Sequence, residues 1–398
     1  MTLKYINRDA GTFQVNPVDD EMIYLNNAAT TWPKPDCVKD AVMDCISMPV
    51  YEPGRTTMKE QTDYPYETRK RVADFFSSGR PENVIFTQNA TDSLNMAIHG
   101  RILEAGGRMH VITSDLEHNS VLRPLFTLRR AGMIDLSIIP SKDGVIDPEM
   151  VAESVRPDTG MAVFNHGSNV LGTVQDLESI GRILSAEDIF FVIDAAQTAG
   201  LVPVDFEKIH ADALAFTGHK YLFGIAGIGG LVIRSPEKLA PVRQGGTGAD
   251  SSNVYMGDIP PEKFEAGTHN YPGIASLYAG LDFINRSGPG EIRRRSLEMT
   301  DMIIGGISGC DRVKVYNKDP ALPIVLFNVE GIDCEDTGFM LSNVYSIVSR
   351  SGLHCSPLVH NSIDGGRGAV RLSLSCMNTV EECEKTVKAI LEIAQYED

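Results

Sequence analysis

The 398 residues contain a single tryptophan, no C-x-x-C pair, and no uninterrupted apolar run near the roughly 18 residues that span a bilayer. Seven cysteines, at 37, 45, 310, 334, 355, 376 and 383, are scattered and odd in number, so neither a disulfide framework nor a zinc site is suggested. Basic charge is scarce: 36 Lys and Arg against 53 Asp and Glu give a net charge of −17, which argues against nucleic acid or an anionic membrane as partner. The densest basic cluster, Arg293 to Arg295, is short and sits among helix-like residues, so it reads as a solvated helix face. The first residues, MTLKYINRDAGTFQ, lack the apolar core of a signal peptide, and a soluble cytoplasmic protein is the expectation. Repeats and low-complexity segments are also missing.

What is present is the balance of a globular protein, 42% hydrophobic and 22% charged, in a chain long enough for two domains at roughly 100 to 200 residues each. Strand-like and helix-like stretches alternate through the first two thirds, which predicts an α/β fold with a mainly parallel sheet. MIYLNNAATTWPKPDCVKDAVMDCI reads as strand, small polar turn and helix, with Val38, Ala41, Val42, Cys45 and Ile46 as an apolar stripe. In NVIFTQNATDSL a helix begins near Ala90 and Thr91, where unpaired N–H groups and the helix dipole favour an anion. The strand MHVITS leads to a turn with Glu117, His118 and Asn119.

FFVID, from Phe190, is apolar enough to be buried on both sheet faces and ends in Asp194, at the edge where open α/β sheets bind ligands. The next strand brings Thr217, His219 and Lys220 to a turn. Phe216, Tyr221, Leu222 and Phe223 flank that lysine, and lost solvation lowers an amine's pKa and favours its nucleophilic form. An isolated lysine on a loop is ordinarily a surface lysine, and what sets this one apart is the resemblance given below for the Asp194 and TGHK segments. The run GIGG, Gly227 to Gly230, lacks both Walker and Rossmann spacing and reads as close backbone packing behind the Lys220 turn.

Residues 242–273, rich in Gly and Pro, mark a domain or subunit boundary. Beyond Ser287 come a long helix, strands near Ile324 to Val329 and Ser346 to Arg350, the segment AVRLSLS and a C-terminal helix, together a smaller α+β domain. The expected division is 20–260 for a large domain and 1–19 plus 261–398 for a small one. SGLHCSPLVHNSIDGGRG reads as a loop, and its Cys355, beside His354 and before Pro357, could present a thiolate. The other cysteines read as small buried hydrophobes.

Several of these segments, taken together, resemble the cysteine desulfurases, pyridoxal-phosphate enzymes of fold type I in aminotransferase class V. The resemblance rests on YLNNAATT from Tyr24, PGR at Pro53 to Arg55, the pair Ala90–Thr91, EHNS from Glu117, HGSNVLG from His166, DAAQ from Asp194, TGHK from Thr217, EAGT from Glu265, and RSGLHCSPL from Arg350 followed by VRLSLS. The 16 positions from Cys355 to Arg371 fit the group with a short cysteine loop. By this resemblance Lys220 forms the Schiff base with pyridoxal 5'-phosphate, Asp194 keeps the ring nitrogen protonated, and His118 stacks on the ring. Ala90, Thr91, Thr217 and His219 border the cofactor, Asn169 and Gln197 its ring oxygen. Thr268 reaches the phosphate of a neighbouring subunit, which implies a homodimer. Arg371 clamps the substrate carboxylate, with Ala28 and Asn169 beside it, and Cys355 accepts sulfur from L-cysteine for an acceptor protein.

His354 and His118 are the candidates for activating Cys355. Three departures stand out: Asn26 where the family usually has Asp, read as structural more than chemical; TTMKEQTDY after Arg55; and His269 and Tyr271 after EAGT. The rival readings are a selenocysteine lyase, another C–S lyase or aminotransferase on the same cofactor, and a scaffold without turnover.

Overall fold

The computed structural model describes residues 22–49, 63–248 and 252–395. Residues 1–19 and the PGR segment at Arg55 lie outside the described residues. The order begins β1 (Ile23–Tyr24), α1 (Asp36–Ser47), α2 (Tyr64–Phe75), β2 (Val84–Thr87), α3 (Ala90–Ala105), β3 (Met109–Ser114), α4 (Asn119–Arg130) and β4 (Ile134–Ile139). It continues with α5 (Pro148–Glu153), β5 (Thr159–Asn165), α6 (Leu177–Ala186), β6 (Phe190–Asp194), β7 (Ala213–Thr217), β8 (Gly229–Ile233) and α7 (Tyr271–Ser287). The last part is α8 (Pro289–Ile307), β9 (Val313–Val315), β10 (Ile324–Val329), α9 (Cys334–Asn343), β11 (Ile347–Val348), β12 (Arg350–Gly352), α10 (Pro357–Ile363), β13 (Ala369–Ser373) and α11 (Val380–Ala394).

Seven strands form the large sheet in the order β2-β8-β7-β6-β5-β3-β4, parallel except for β8, which runs against both neighbours. Every residue of β6, β7 and β8 is buried, as continuous apolar runs covered on both faces require. Separate apolar cores fill the two sides of this sheet. A second, antiparallel sheet, β12-β13-β10-β9, packs with α8, α9 and α11 around a third core. The short β1 crosses between them, pairing with β11 while Asn27 donates to the Ser373 carbonyl at the end of β13.

GIGG is packed as expected: a Cβ on Gly229 would lie 2.7 Å from both the Asn89 Cα and the Phe216 carbonyl oxygen. The residue before α3 and the strand before Lys220 therefore touch through a glycine. Two expectations need correction. The Cys355 segment is not loop throughout, because Pro357 starts the one-turn-and-more helix α10, where a missing N–H costs nothing. In α1 only Val38 of the apolar stripe is fully buried, and Ile46 is 57% exposed. The helix leans on α7 by a narrow edge, leaving Met43 and Ile46 outward.

The irregular stretch before α7 is anchored by a buried ion pair. Arg69 Nη2 meets Glu265 Oε2 at 2.6 Å, Arg69 Nη1 meets Oε1 at 2.8 Å, and Oε1 also accepts the Phe86 N–H at 2.6 Å. Removing one partner of such a pair strands the other charge without solvent. Glu265→Ala should lower unfolding stability by about 3–5 kcal/mol in urea denaturation, whereas breaking the exposed Arg294–Glu298 pair should leave it nearly unchanged.

Candidate active site

Site residues collect at the carboxyl edge of the large sheet because parallel strands deliver their following loops to the same side. Asp194 ends β6, Thr217 ends β7, α3 starts with Ala90 just after β2, and His118 and Asn169 follow β3 and β5. The small sheet closes the opening with Arg350 on β12, Arg371 on β13 and Cys355 between them. A cavity of about 310 Å³ results, lined by Ala28, Ala90, Thr91, His118, Asn169, Asp194, Gln197, Thr217, His219, Lys220, Cys355 and Arg371, with Arg350 and His354. Thr268 is exposed and does not line the cavity of its own chain.

Lys220 follows β7 in a turn whose carbonyl accepts from Thr31 Oγ1 at 2.9 Å. Burial lowers its pKa to about 8; Asp194 and Cys355 oppose the shift, while Arg371 and Arg350 reinforce it. Asp194 accepts the Ala196 N–H at 2.9 Å, and its pKa is raised by burial despite that bond and Lys220. Glu117, to which the sequence reading gave no role, is fully buried and pushed up to about 8, so it carries a proton at neutral pH. Its Oε1 accepts from Ser114 Oγ at 2.6 Å and from the Asn165 N–H at 3.1 Å.

His118 caps α4, and the Ser120 N–H donates to its Nδ1 at 3.0 Å, which leaves the ring proton on Nε2. Ser120 Oγ continues to Thr91 Oγ1 at 2.6 Å, tying the imidazole to the start of α3. Burial and the surrounding cations, Lys220 foremost, bring the pKa of His118 to about 3. The ring is thus neutral at physiological pH and offers a face and an Nε2–H, not a charge.

Arg371 donates from Nη1 to the Asn169 carbonyl at 2.8 Å, while its Nε is buried without a partner. Its Nη2 lies 3.4 Å from Asn26 Oδ1, so position 26, read as structural more than chemical, also touches the guanidinium. An amide there supplies a dipole where a carboxylate would have neutralised charge. Burial and Arg350 lower the Arg371 pKa to about 10. Asn169 spends its amide on the cysteine segment: Nδ2 donates to the His354 carbonyl at 2.7 Å, and Oδ1 accepts from Ser356 Oγ at 2.8 Å.

Cys355 is partly exposed to the cavity, with Arg350 Nη2 3.8 Å from its Sγ and the Asn119 N–H donating to its carbonyl at 2.7 Å. Of the two histidines considered for activating it, His354 has both ring nitrogens engaged elsewhere, with His360 at 3.1 Å and the Arg350 carbonyl at 3.1 Å. Arg350 is the charged group that reaches the sulfur. In the sequence it opens RSGLHCSPL five residues before Cys355 but drew no role, and β12 with the following turn converts that spacing into contact.

A desolvated lysine, a buried acid at the next strand end and a thiol under a guanidinium, all facing one cavity, define an enzyme that handles a small anionic amino compound. The particular lineage follows from comparison, and the chain belongs to the aminotransferase class-V family, whose model matches residues 23–386. It is 33% identical over 95% of its length to a probable cysteine desulfurase of Methanothermobacter thermautotrophicus, covering 96% of that protein, and 31% identical to one from Pyrococcus abyssi with the same coverage. Among solved structures, the apo cysteine desulfurase of Thermococcus onnurineus NA1 superposes with a TM-score of 0.87 at 32% identity, over 94% of this chain and 95% of that one. The fold is therefore that of the expected α/β class, a mostly parallel large sheet with a smaller α+β part.

The lowered pKa of Lys220 has a signed consequence for stability. Below pH 8 the amine is charged both folded and unfolded, so the burial penalty is complete; between about 8 and 10.5 only the unfolded chain holds the proton, and the penalty fades as pH rises. Lys220→Met in the cofactor-free protein should therefore be more stable than wild type at pH 7, with the gap closing by pH 10.5. Melting temperatures of both proteins across that range check it.

Proposed function

We propose that this protein is a cysteine desulfurase, converting L-cysteine to L-alanine while Cys355 captures the sulfur as a persulfide for an acceptor protein. The observation that carries the reading is that Lys220, Arg371 and Cys355, drawn from two sheets, line one cavity. Pyridoxal 5'-phosphate fits this cavity. Gln197 Oε1 and Thr217 Oγ1 are buried there with no partner, and the first turn of α3 offers N–H groups beside Thr91 to a phosphate. When bound, the cofactor supplies an aldehyde carbon for an amine and an electron sink that acidifies the substrate α-carbon. Asp194 would hold the protonated ring nitrogen, a cation that offsets its desolvation, and His118 would lie against the ring. Ala90, Thr91, Thr217, His219 and Gln197 would complete the lining.

Lys220, with its pKa near 8, is suited to taking up and returning the α-proton at neutral pH. The Arg371 guanidinium holds the substrate carboxylate, its unpartnered Nε giving it a free donor, and Ala28 and Asn169 border the same end. The Cys355 thiolate, with Arg350 beside it, attacks the substrate sulfur. A sulfur–sulfur bond forms, the carbon–sulfur bond breaks, and the carbon keeps the electron pair and takes a proton, leaving alanine and a persulfide.

We also read the chain as a homodimer in which Thr268 serves the partner's phosphate site. Supporting this, Thr268 is exposed and absent from the lining of its own cavity, and the nearby Val254, Tyr255 and Ile259 are 89%, 82% and 70% exposed. The division near residue 260 belongs to the same reading, with α7, packed on α1 and α2, as the link between domains. No helix among the described residues is long and apolar enough to cross a membrane, and all seven cysteines are free; a cytoplasmic setting is the reading we adopt.

Cys355→Ala should keep the bound cofactor and its spectral response to L-cysteine but release alanine at least about a hundredfold more slowly, because only the sulfur acceptor is lost. Alanine formation from L-cysteine, L-selenocysteine and cystine, with peptide mass spectrometry for persulfide, distinguishes this from a lyase, whose better leaving groups would turn over without the thiol. Thr268→Ala should weaken cofactor retention without unfolding; a stable, fully active monomer by light scattering would overturn the dimer.

A further inference from the structure

Beneath the Cys355 turn lies a chain of three buried titratable side chains with no part in the chemistry above. Helix α10 places His360 and Asp364 one turn apart, at 0% and 4% exposure. Asp364 Oδ2 lies 2.6 Å from His360 Nδ1, His360 Nε2 lies 3.1 Å from His354 Nδ1, and His354 Nε2 lies 3.1 Å from the Arg350 carbonyl oxygen. Three contacts in series need three hydrogens. The Arg350 carbonyl can only accept, so the His354 proton is on Nε2 and its Nδ1 accepts from His360 Nε2–H. The last contact then needs one further hydrogen, either a second on His360 or one on Asp364. In both cases the trio carries no net charge, as suits a site closed to water. Burial, with Arg371 adding to it, holds the His354 pKa well below its ordinary value, in keeping with a single hydrogen on its ring.

The end of this chain grips a strained turn. His354 and Cys355 are consecutive non-glycine residues with φ of +50° and +59°, a conformation that persists only where neighbours enforce it. The grip falls on the Arg350 backbone, and the Arg350 side chain is the one beside the sulfur. The groups facing the trio are Arg350 on β12, Arg371 on β13, and, at the Asp364 end, Tyr316 and Arg367, whose Nε is spent on the Asp364 carbonyl. Those facing the sulfur are Arg350, Arg371 and Lys220.

We propose that His360 and Asp364 are positioning residues for Cys355, holding the His354–Cys355 turn and the Arg350 guanidinium in register through a charge-neutral chain of three hydrogens. The inference rests on the reading of Cys355 as sulfur acceptor, but the geometry it concerns is testable without turnover. The decisive comparison is Asp364→Asn, whose amide N–H can supply the third hydrogen without charge, against Asp364→Leu, which cannot, with His360→Phe as a ring that lacks both nitrogens.

Iodoacetamide alkylation of Cys355 in the full chain, followed by peptide mass spectrometry from pH 6 to 10, reads the turn directly. Release of the turn should change the alkylation rate of Cys355 at least about threefold in Asp364→Leu and His360→Phe, whereas Asp364→Asn should stay within about twofold of wild type. In cysteine turnover the same two variants should lose kcat with KM within about twofold, since Arg371 still binds the carboxylate. Wild-type alkylation in Asp364→Leu, or equal damage in Asp364→Asn, would overturn the proposal; if His360→Phe fails to fold, the Asp364 pair decides alone. Should the wild type release no alanine from cysteine yet show the alkylation pattern, the functional reading fails and the positioning role stands.

Discussion

Everything about this site depends on gathering cations where water is scarce. Lys220, Arg371 and Arg350 surround one cavity, and the carboxylates available to them are few: Asp194 is buried, and Glu117 is protonated at neutral pH. Burial is accordingly the first cause of the lowered pKa values of Lys220, His118, His354 and Arg371. The protein as a whole carries a net charge of −17, so the cationic cavity is a local inversion of its surface. Such a site is costly when empty and is relieved by anions, which is the electrostatic counterpart of a phosphate-bearing cofactor and a carboxylate-bearing substrate.

The fold makes this concentration of charge possible by separating the two halves of the chemistry and then bonding them together. The lysine and the acid come from neighbouring parallel strands, whose register places Asp194 opposite Ala215, two residues before Thr217. The thiol and both guanidiniums come from the antiparallel sheet, where Arg350 pairs directly with Arg371. Asn169 joins the halves through three hydrogen bonds, to the Arg371 guanidinium, the His354 carbonyl and the Ser356 hydroxyl. At about 0.5–1.5 kcal/mol each, more where charge is involved, these bonds outweigh the ordering of a single side chain and fix where the sulfur sits relative to the amine.

Much of this was legible in the sequence, and for identifiable reasons. FFVID and ALAFT are continuous apolar runs, and burial on both faces of a parallel sheet leaves little else for them to be. The C-terminal helix was legible because Cys383, Val387, Ile390, Leu391 and Ala394 keep helical spacing; the structure places it at Val380–Ala394 and adds a capping box of Thr379 and Glu382 at its start. The cavity lining was legible through short motifs that carry their own turns. Less visible were residues whose importance comes from packing alone. Glu117 looked like part of a turn, and only its enclosure between Ser114 and Asn165 makes it a neutral acid. Helix α10 was hidden because seven residues cannot display a period, and Ile46 looked like core because an apolar stripe does not say how much of it a neighbour will cover.

Asn26 shows how such a constraint can move a single position from scaffold to chemistry. Its backbone bridges to Ser373 at the end of β13, and its carbonyl begins the turn that carries Ala28, so a structural account is complete without its side chain. Yet the side-chain oxygen faces Arg371, a buried cation on which the largest charge effect is that of the like-charged Arg350. A carboxylate at 26 would compensate that charge permanently; an amide leaves it to be met by whatever enters. The guanidinium is then held in place by neutral acceptors, Asn169 and Asn26, while its electrostatic demand stays unsatisfied, which favours a bound carboxylate over a neutral group.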